Sequence, residues 1–258
     1  MLNYIKSECY RALHTRSLYL LLGIFGGLTA FLNLVLYLFT AYTPNFRYGT
    51  TSFSYSNLVS QPMLYCIAAC IVVSVLYEGD SRNGTRKNSI AYGISRTSMF
   101  LGKCVVSLIV SLIILIPVMA VYLGSAVVFL EEAGPVTVQD MLMEIPGVSL
   151  IALSALILAI LLLELFDKTI LGLIVWYAIL FAIPKVIFIL SMKLSFLTPL
   201  ALWLPVNFFS AEMTVNLTTC STIWQTAAGM AKCLLAGTAG ILLFGISGVL
   251  LLRKKDLS

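Results

Sequence analysis

Long apolar runs set the organisation of this chain. Residues 18–41, 59–77, 105–130, 147–166, 170–191 and 230–252 are each almost wholly apolar. A helix needs about 20 such residues to cross the ~30 Å hydrocarbon core of a bilayer. The first run alone rises about 36 Å at 1.5 Å per residue, enough to cross with some tilt. Six transmembrane helices are therefore predicted, in one all-α integral membrane domain covering residues 1–258. Between the runs the chain turns polar. Residues 42–58 are rich in Ser, Thr and aromatics, and 131–146 carry Glu131, Glu132, Asp140 and Glu144 with no Lys or Arg. Both read as external loops. Asp167-Lys168-Thr169 leaves only a tight turn between the fourth and fifth runs.

Shorter patterns refine the picture. In residues 1–17, Leu2, Ile5, Cys9, Ala12 and Leu13 fall at helical spacing, with Lys6, Ser7, Arg11 and His14 elsewhere on the wheel. That predicts an amphipathic helix lying in the membrane interface. No small-x-small cleavage site follows the first run, so an uncleaved helix is expected rather than a signal peptide. Residues 195–209 are apolar but short, and Pro199 and Pro205 interrupt them. A re-entrant or interfacial external segment is expected there, with Trp203 and Trp224 near headgroup depth. Pro62 suits the first turn of the second span, whereas Pro117 should kink the third span and Pro184 should break the fifth. Gly23 and Gly27 in the first span, and Gly237, Gly240, Gly245 and Gly248 in the last, are small residues that allow close helix approach.

Composition agrees with lipid as the solvent. The chain is 60% hydrophobic and 10% charged, where a soluble domain carries about 25% charged residues. The net charge of +5 is spread over juxtamembrane sites facing anionic headgroups, not interleaved with aromatics in a nucleic-acid-binding stretch. Twelve of the sixteen basic residues fall on one side of the predicted topology: Lys6, Arg11, Arg16, Arg82, Arg86, Lys87, Arg96, Lys103, Lys168, Arg253, Lys254 and Lys255. By the positive-inside rule that side is cytoplasmic and holds both termini. The six cysteines show no metal-site spacing, and Cys66 and Cys70, four apart, read as small packing residues. No phosphate-binding loop and no H-E-x-x-H motif occurs, and His14 is the only histidine. A catalytic site and a metal site in this chain are both unexpected.

The organising polar segment is residues 78–103, EGDSRNGTRKNSIAYGISRTSMFLGK. Asn83-Gly84 is a turn signal. Thr85 can cap a short helix over 86–92, Gly93 suits the position after it, and Ser95 can cap the helix that enters the third span. On composition alone this is either an ordinary solvated cytoplasmic loop or a surface helix on which a partner docks.

The spacing E-x5-G-T-x-K-N, then S-R, then G-K is carried by Glu78, Gly84, Thr85, Lys87, Asn88, Ser95, Arg96, Gly102 and Lys103. It resembles the first cytoplasmic loop of type-2 ABC exporter permeases. The ending Arg253-Lys254-Lys255-Asp256-Leu257 is similar to that family's usual C-terminus. The resemblance implies a coupling helix between spans two and three that contacts a separate nucleotide-binding ATPase. Glu78, Gly84, Thr85, Arg86, Lys87 and Arg96 would be its coupling contacts. It also implies two ATPase copies holding ATP and Mg, and a second permease subunit, identical or homologous, completing the pore. This chain would carry no cofactor. Small permeases of this layout include export and immunity systems for amphipathic antimicrobial peptides, an analogy for cargo only.

Charges within the spans are the other place to look for function. Lys185, beside Pro184, either snorkels to the outer headgroups or lies in the translocation path. Glu164 can pair with Lys168 four residues on. Glu212 has no assigned role, and Asn216-Leu217-Thr218 matches a glycosylation acceptor of a kind common by chance. Two rival functions remain open: an ATP-independent transporter or channel, and a non-transporting membrane anchor for a partner. The topology predicts that cysteines placed at Glu132 and Asn216 react with an impermeant maleimide from outside intact cells, whereas one at Arg86 reacts only after permeabilisation.

Overall fold

The computed structural model of the chain describes residues 2–83, 95–166 and 168–254; for 78–83 and 254 it describes the backbone alone. The chain is an all-α, multi-pass membrane protein. Its helices are α1 (Leu2–Leu13), α2 (Arg16–Tyr42), α3 (Thr51–Val59), α4 (Leu64–Asn83), α5 (Arg96–Phe129), α6 (Val138–Leu165), α7 (Thr169–Ser191), α8 (Thr198–Trp203), α9 (Pro205–Glu212) and α10 (Ala227–Lys254). Five of these are long and apolar enough to cross a membrane, and α3 with α4 forms a sixth, bent unit.

The centre of the helix bundle is α6. Burial against protein reaches 72% of its apolar stretch, against 11–22% for the other four long helices. From Leu150 to Leu163 it is apolar on nearly every side, which an interior position tolerates but does not require, since α5 is more apolar and only 22% buried; close packing sets the place of α6. Helices α10, α4, α5, α3 and α7 all contact it. The approach of α10 is close because of two glycines. A Cβ on Gly237 would lie 2.5 Å from Leu150 Cβ, and one on Gly240 would lie 2.8 Å from Ser154 Cβ. Gly248 meets the Phe100 ring in the same way, whereas Gly245 faces open space, as do Gly23 and Gly27 on α2.

Several sequence-based boundaries shift. Residues 51–59, expected mostly in an external loop, form α3, in which Thr51, Ser52, Ser54 and Tyr55 are buried. Pro62 lies in the break between α3 and α4, which meet at 69°. The reason is tertiary. Thr50 caps α3, and the Thr51 amide donates to the Glu131 carbonyl at 2.9 Å. The Val136 amide donates to Ser52 Oγ at 2.9 Å. Gly134, with φ +104°, makes the turn that allows this; a side chain there would strike Ser52. The start of α6 moves as well, from 147 to Val138, where Thr137 and Asp140 form a reciprocal capping box. Pro146 sits inside the helix rather than opening it, and Glu144 joins the helix instead of the loop.

Helix α7 is continuous through Pro184. Proline lacks the N–H its turn needs, and the helix answers with a widened π turn over Ala178–Ala182, where the Ile183 amide reaches Ala178 O. Residues 198–212 fold as two short helices, α8 and α9, turned at Leu204. Both rest against the far end of α7. Asn207 ties the three together, donating to Pro184 O at 2.8 Å and Ala201 O at 3.0 Å. Beyond them a two-stranded antiparallel hairpin, β1 (Thr214–Val215) with β2 (Cys220–Ser221), turns on Asn216 Oδ1. Trp224, expected at headgroup depth, is 3% exposed and enclosed by protein, whereas Trp203 is 50% exposed.

The fold predicts an asymmetry among the small residues of α10. Gly237→Leu and Gly240→Leu should each destabilise by about 1–3 kcal/mol through overpacking, read as a lowered melting temperature of the purified protein. Gly245→Leu should leave the melting temperature within error.

Candidate functional site

The organising loop of the sequence joins α4 to α5, and the start of α5 lies beside both ends of the described chain. Gly102 of α5 meets Tyr4 of α1, and Phe100 meets Gly248 of α10. Ser95 caps α5 as expected, its Oγ accepting from the Ser98 amide at 3.2 Å. Arg96 is the first residue of that helix. The expected coupling residues Gly84, Thr85, Arg86 and Lys87 lie outside the described residues, as does the short helix expected over 86–92. The Glu78 side chain is likewise outside the description, although its backbone belongs to α4.

What the structure adds is the footing of this segment. Two turns into α5, Lys103 is 6% exposed and donates through Nζ to Glu164 Oε1 on α6 at 2.7 Å. The two side chains are 8% and 6% exposed. The Lys103 ammonium also stands 4.1 Å from the ring centroid of Tyr77 on α4, in cation–π range. One residue earlier, Gly102 leaves room for the Tyr4 ring of α1; a Cβ there would lie 2.8 Å from it. Helices α1, α4, α5 and α6 therefore meet at one ionic and aromatic node. The buried partner of Glu164 is Lys103, not the expected Lys168. Glu164 sits in the last turn of α6 facing the bundle interior, where α5 brings Lys103 within contact. The i,i+4 geometry with Lys168 is lost because the helix ends at Leu165.

A second polar group occupies the opposite end. Asn33 of α2 is fully buried and donates through Nδ2 to Ser125 Oγ at 2.8 Å and to Tyr122 O at 3.0 Å. Ser54 Oγ donates to Asn33 Oδ1 at 2.6 Å, and the Tyr122 hydroxyl donates to the Ser54 carbonyl. Nearby, Glu144 is fully buried inside α6. Its Oε2 accepts from the Tyr65 hydroxyl at 3.4 Å, and its Oε1 has no hydrogen-bond partner among the described residues. Sequence reading missed Glu144 because the acidic run 131–146 looked like solvent-exposed loop. The capping box Thr137-x-x-Asp140 was the one signal that could have moved the helix start ahead of it.

Lys185 is exposed on α7 and donates to Ser210 Oγ of α9 at 3.3 Å. It is not drawn into either node. Lys232 pairs with Glu212 and lies 5.0 Å from the Phe208 ring centroid, which gives Glu212 a partner the sequence did not indicate. Among the described residues no group of three metal-ligating side chains converges. The two cysteines outside the long apolar helices have raised thiol pKa values: Cys9 by burial and then Glu8, Cys220 by burial and then Asp140. Both are poor nucleophiles for that reason.

Comparison with known proteins finds no family model, curated protein or solved structure that matches this chain.

The Lys103–Glu164 pair gives a sharp expectation. Lys103→Met or Glu164→Gln alone removes half of a buried ion pair and should cost about 3–5 kcal/mol, whereas Lys103→Met with Glu164→Leu should recover most of that loss. Melting temperatures of the parent and the three variants test the pattern.

Proposed function

We propose that this chain is the permease subunit of an ATP-driven exporter. In this reading six spans cross the membrane with both termini cytoplasmic, and α1 lies in the inner interface. The segment around 84–94 is the coupling helix. A second permease, identical or homologous, completes the pore, and two separate ATPase subunits bind ATP and Mg. Residues 198–212 form a re-entrant or interfacial external segment. The cargo is an amphipathic peptide, drug or lipid-like molecule moved outward. The chain itself is not an enzyme. The loop residues Glu78, Gly84, Thr85, Arg86, Lys87 and Arg96 carry the resemblance on which this rests.

The single observation in its favour is the node at the foot of the loop. A docking loop transmits motion only if its ends are rigidly joined to the helices that must move. Here the helix leaving the loop is bound through Lys103 to Glu164 of the central helix, and through Gly102 to α1. Separating a buried ion pair is costly, so displacement of the α5 start is passed to α6 rather than absorbed. Helix α5 is also long: 34 residues reach about 50 Å, well beyond the ~30 Å core.

One observation favours a second reading, the ATP-independent transporter. Glu144 is a fully buried acid inside a membrane helix with no cation paired to it among the described residues, the kind of group that marks ion-coupled transport.

Gentle purification from native membranes separates the two. A stoichiometric subunit carrying a phosphate-binding loop is expected. In that complex, reversing the charges of Arg86 and Lys87 should lower transport per ATP hydrolysed about tenfold, equivalent to ~1.4 kcal/mol of lost docking, while the complex still inserts. Recovery of the chain alone, with transport insensitive to ATP depletion and abolished by Glu144→Gln, would replace the exporter reading with the second.

A further inference from the structure

The first turns of α6 sort their side chains against the order a water-facing helix would choose. Leu142, Met143 and Ile145 are exposed, while Glu144 among them is fully buried. Met141 and Val148, three and four residues away on the same face, are buried with it. The apolar side chains point away from the protein and the acid points into it. The carboxyl group meets few polar partners there. The Tyr65 hydroxyl of α4 reaches Oε2 at 3.4 Å, and Oε1 has no hydrogen-bond partner among the described residues.

The elements around α6 bring no counter-charge. From α5, the Tyr122 hydroxyl is held by the Ser54 carbonyl. From α3, the Tyr55 hydroxyl is buried without a hydrogen-bond partner among the described residues. On α6 itself, Asp140 one turn earlier is held by Thr137 and Gln225. Lys232 of α10 is paired with Glu212, and Lys185 of α7 donates to Ser210. An ionised carboxylate buried in this way costs far more than a neutral acid. Three kinds of occupant can neutralise it. A metal ion needs several oxygen ligands at close range; Tyr65 offers one hydroxyl, and no group of three metal-ligating side chains converges among the described residues. An organic cation needs room beside the carboxyl, and Glu144 is closed over by protein. A proton needs neither ligands nor room.

We propose that Glu144 is a proton-binding site, a neutral carboxylic acid in this arrangement with Tyr65 as its polar neighbour. Losing the proton leaves an anion that nothing in the described surroundings balances, so release goes with opening of this end of the bundle to water or to a cation. The inference names the ion that the ATP-independent reading would use, but the site itself rests on neither transport reading.

The test is infrared spectroscopy of the full chain at neutral pH in dodecyl maltoside micelles, whose detergent has no carbonyl group to mask the signal. The parent protein should show the C=O stretch of a protonated carboxyl group. Glu144→Gln, which keeps the shape of the neutral acid, should abolish that band and leave the carboxylate bands of the other acids unchanged. In the parent, the band should keep its intensity when choline chloride in the buffer is replaced by sodium or potassium chloride. Absence of a protonated-carboxyl band from the parent would overturn the proposal, whether or not the variant folds. So would a band that survives in Glu144→Gln, or one that gives way to carboxylate absorption on adding sodium or potassium, which would make this a metal-ion site. No transport is measured, so failure here is distinct from failure of either transport reading.

Discussion

The fold depends on one constraint: the helices that surround α6 must be held to it without a driving force from water. No polar face along Leu150–Leu163 tells it how to sit against water, and lipid is as apolar as its own side chains, so hydrophobicity alone cannot hold neighbours to it. Shape and hydrogen bonds do. Gly237 and Gly240 let α10 reach backbone contact. The Trp176 indole of α7 donates to the Ala155 carbonyl at 2.9 Å. Lys103 and Glu164 lock α5 to the last turn of α6. Each contact replaces a driving force that water would supply in a soluble bundle.

The same constraint explains why so few polar groups lie inside the bundle, and why those present are informative. With no water to pair with, a polar atom among membrane helices is satisfied by the chain or is costly. The Asn33–Ser54–Tyr122–Ser125 network meets that demand almost completely and joins α2, α3 and α5. The Lys103–Glu164 pair meets it by neutralisation. Glu144 does neither, having one weak donor in Tyr65. Ser111, in the interior of α5, and Tyr55, Asn207, Thr222 and Trp224 also bury a polar atom without a hydrogen-bond partner among the described residues. The last four belong to the end of the bundle away from the Lys103 node, as Glu144 does.

Much of this was legible in the sequence because lipid imposes a length rule that few soluble folds obey. The long apolar runs located the crossing helices, Ser95 announced its own cap, and the glycines of α10 marked a close interface. Failures occurred where long-range contacts overrode local composition. Residues 51–59 look like a polar loop, yet Ser52 and Ser54 have partners in Val136 and Asn33, far along the chain. Glu144 looks like a loop acid, yet the Thr137 cap starts its helix two turns earlier. Glu164 had a cation four residues away but found a better-placed one 61 residues earlier. Periodicity and spacing describe neighbours along the chain, and none of these partners is one. As for the candidate site, the coupling residues 84–87 lie outside the described residues, and the footing of their segment was not legible, since Lys103 and Tyr4 acquire meaning only when α1 and α6 arrive beside α5.

The two ends of the molecule are therefore built differently. At one end, charge, ring and helix start converge on Lys103, and the buried pair makes separation expensive. At the other end the elements are short: α3 breaks from α4 at 69°, α8 and α9 fold back on α7, and their polar atoms are incompletely matched. The π turn of α7 lies just ahead of Pro184, whose carbonyl Asn207 holds, so even the span bordering this end departs from regular helix there. The buried pair joins α5 to α6 at the foot of the loop, whereas the elements opposite hold polar atoms without partners among the described residues. A carboxyl group without a counter-charge there favours any rearrangement that supplies one.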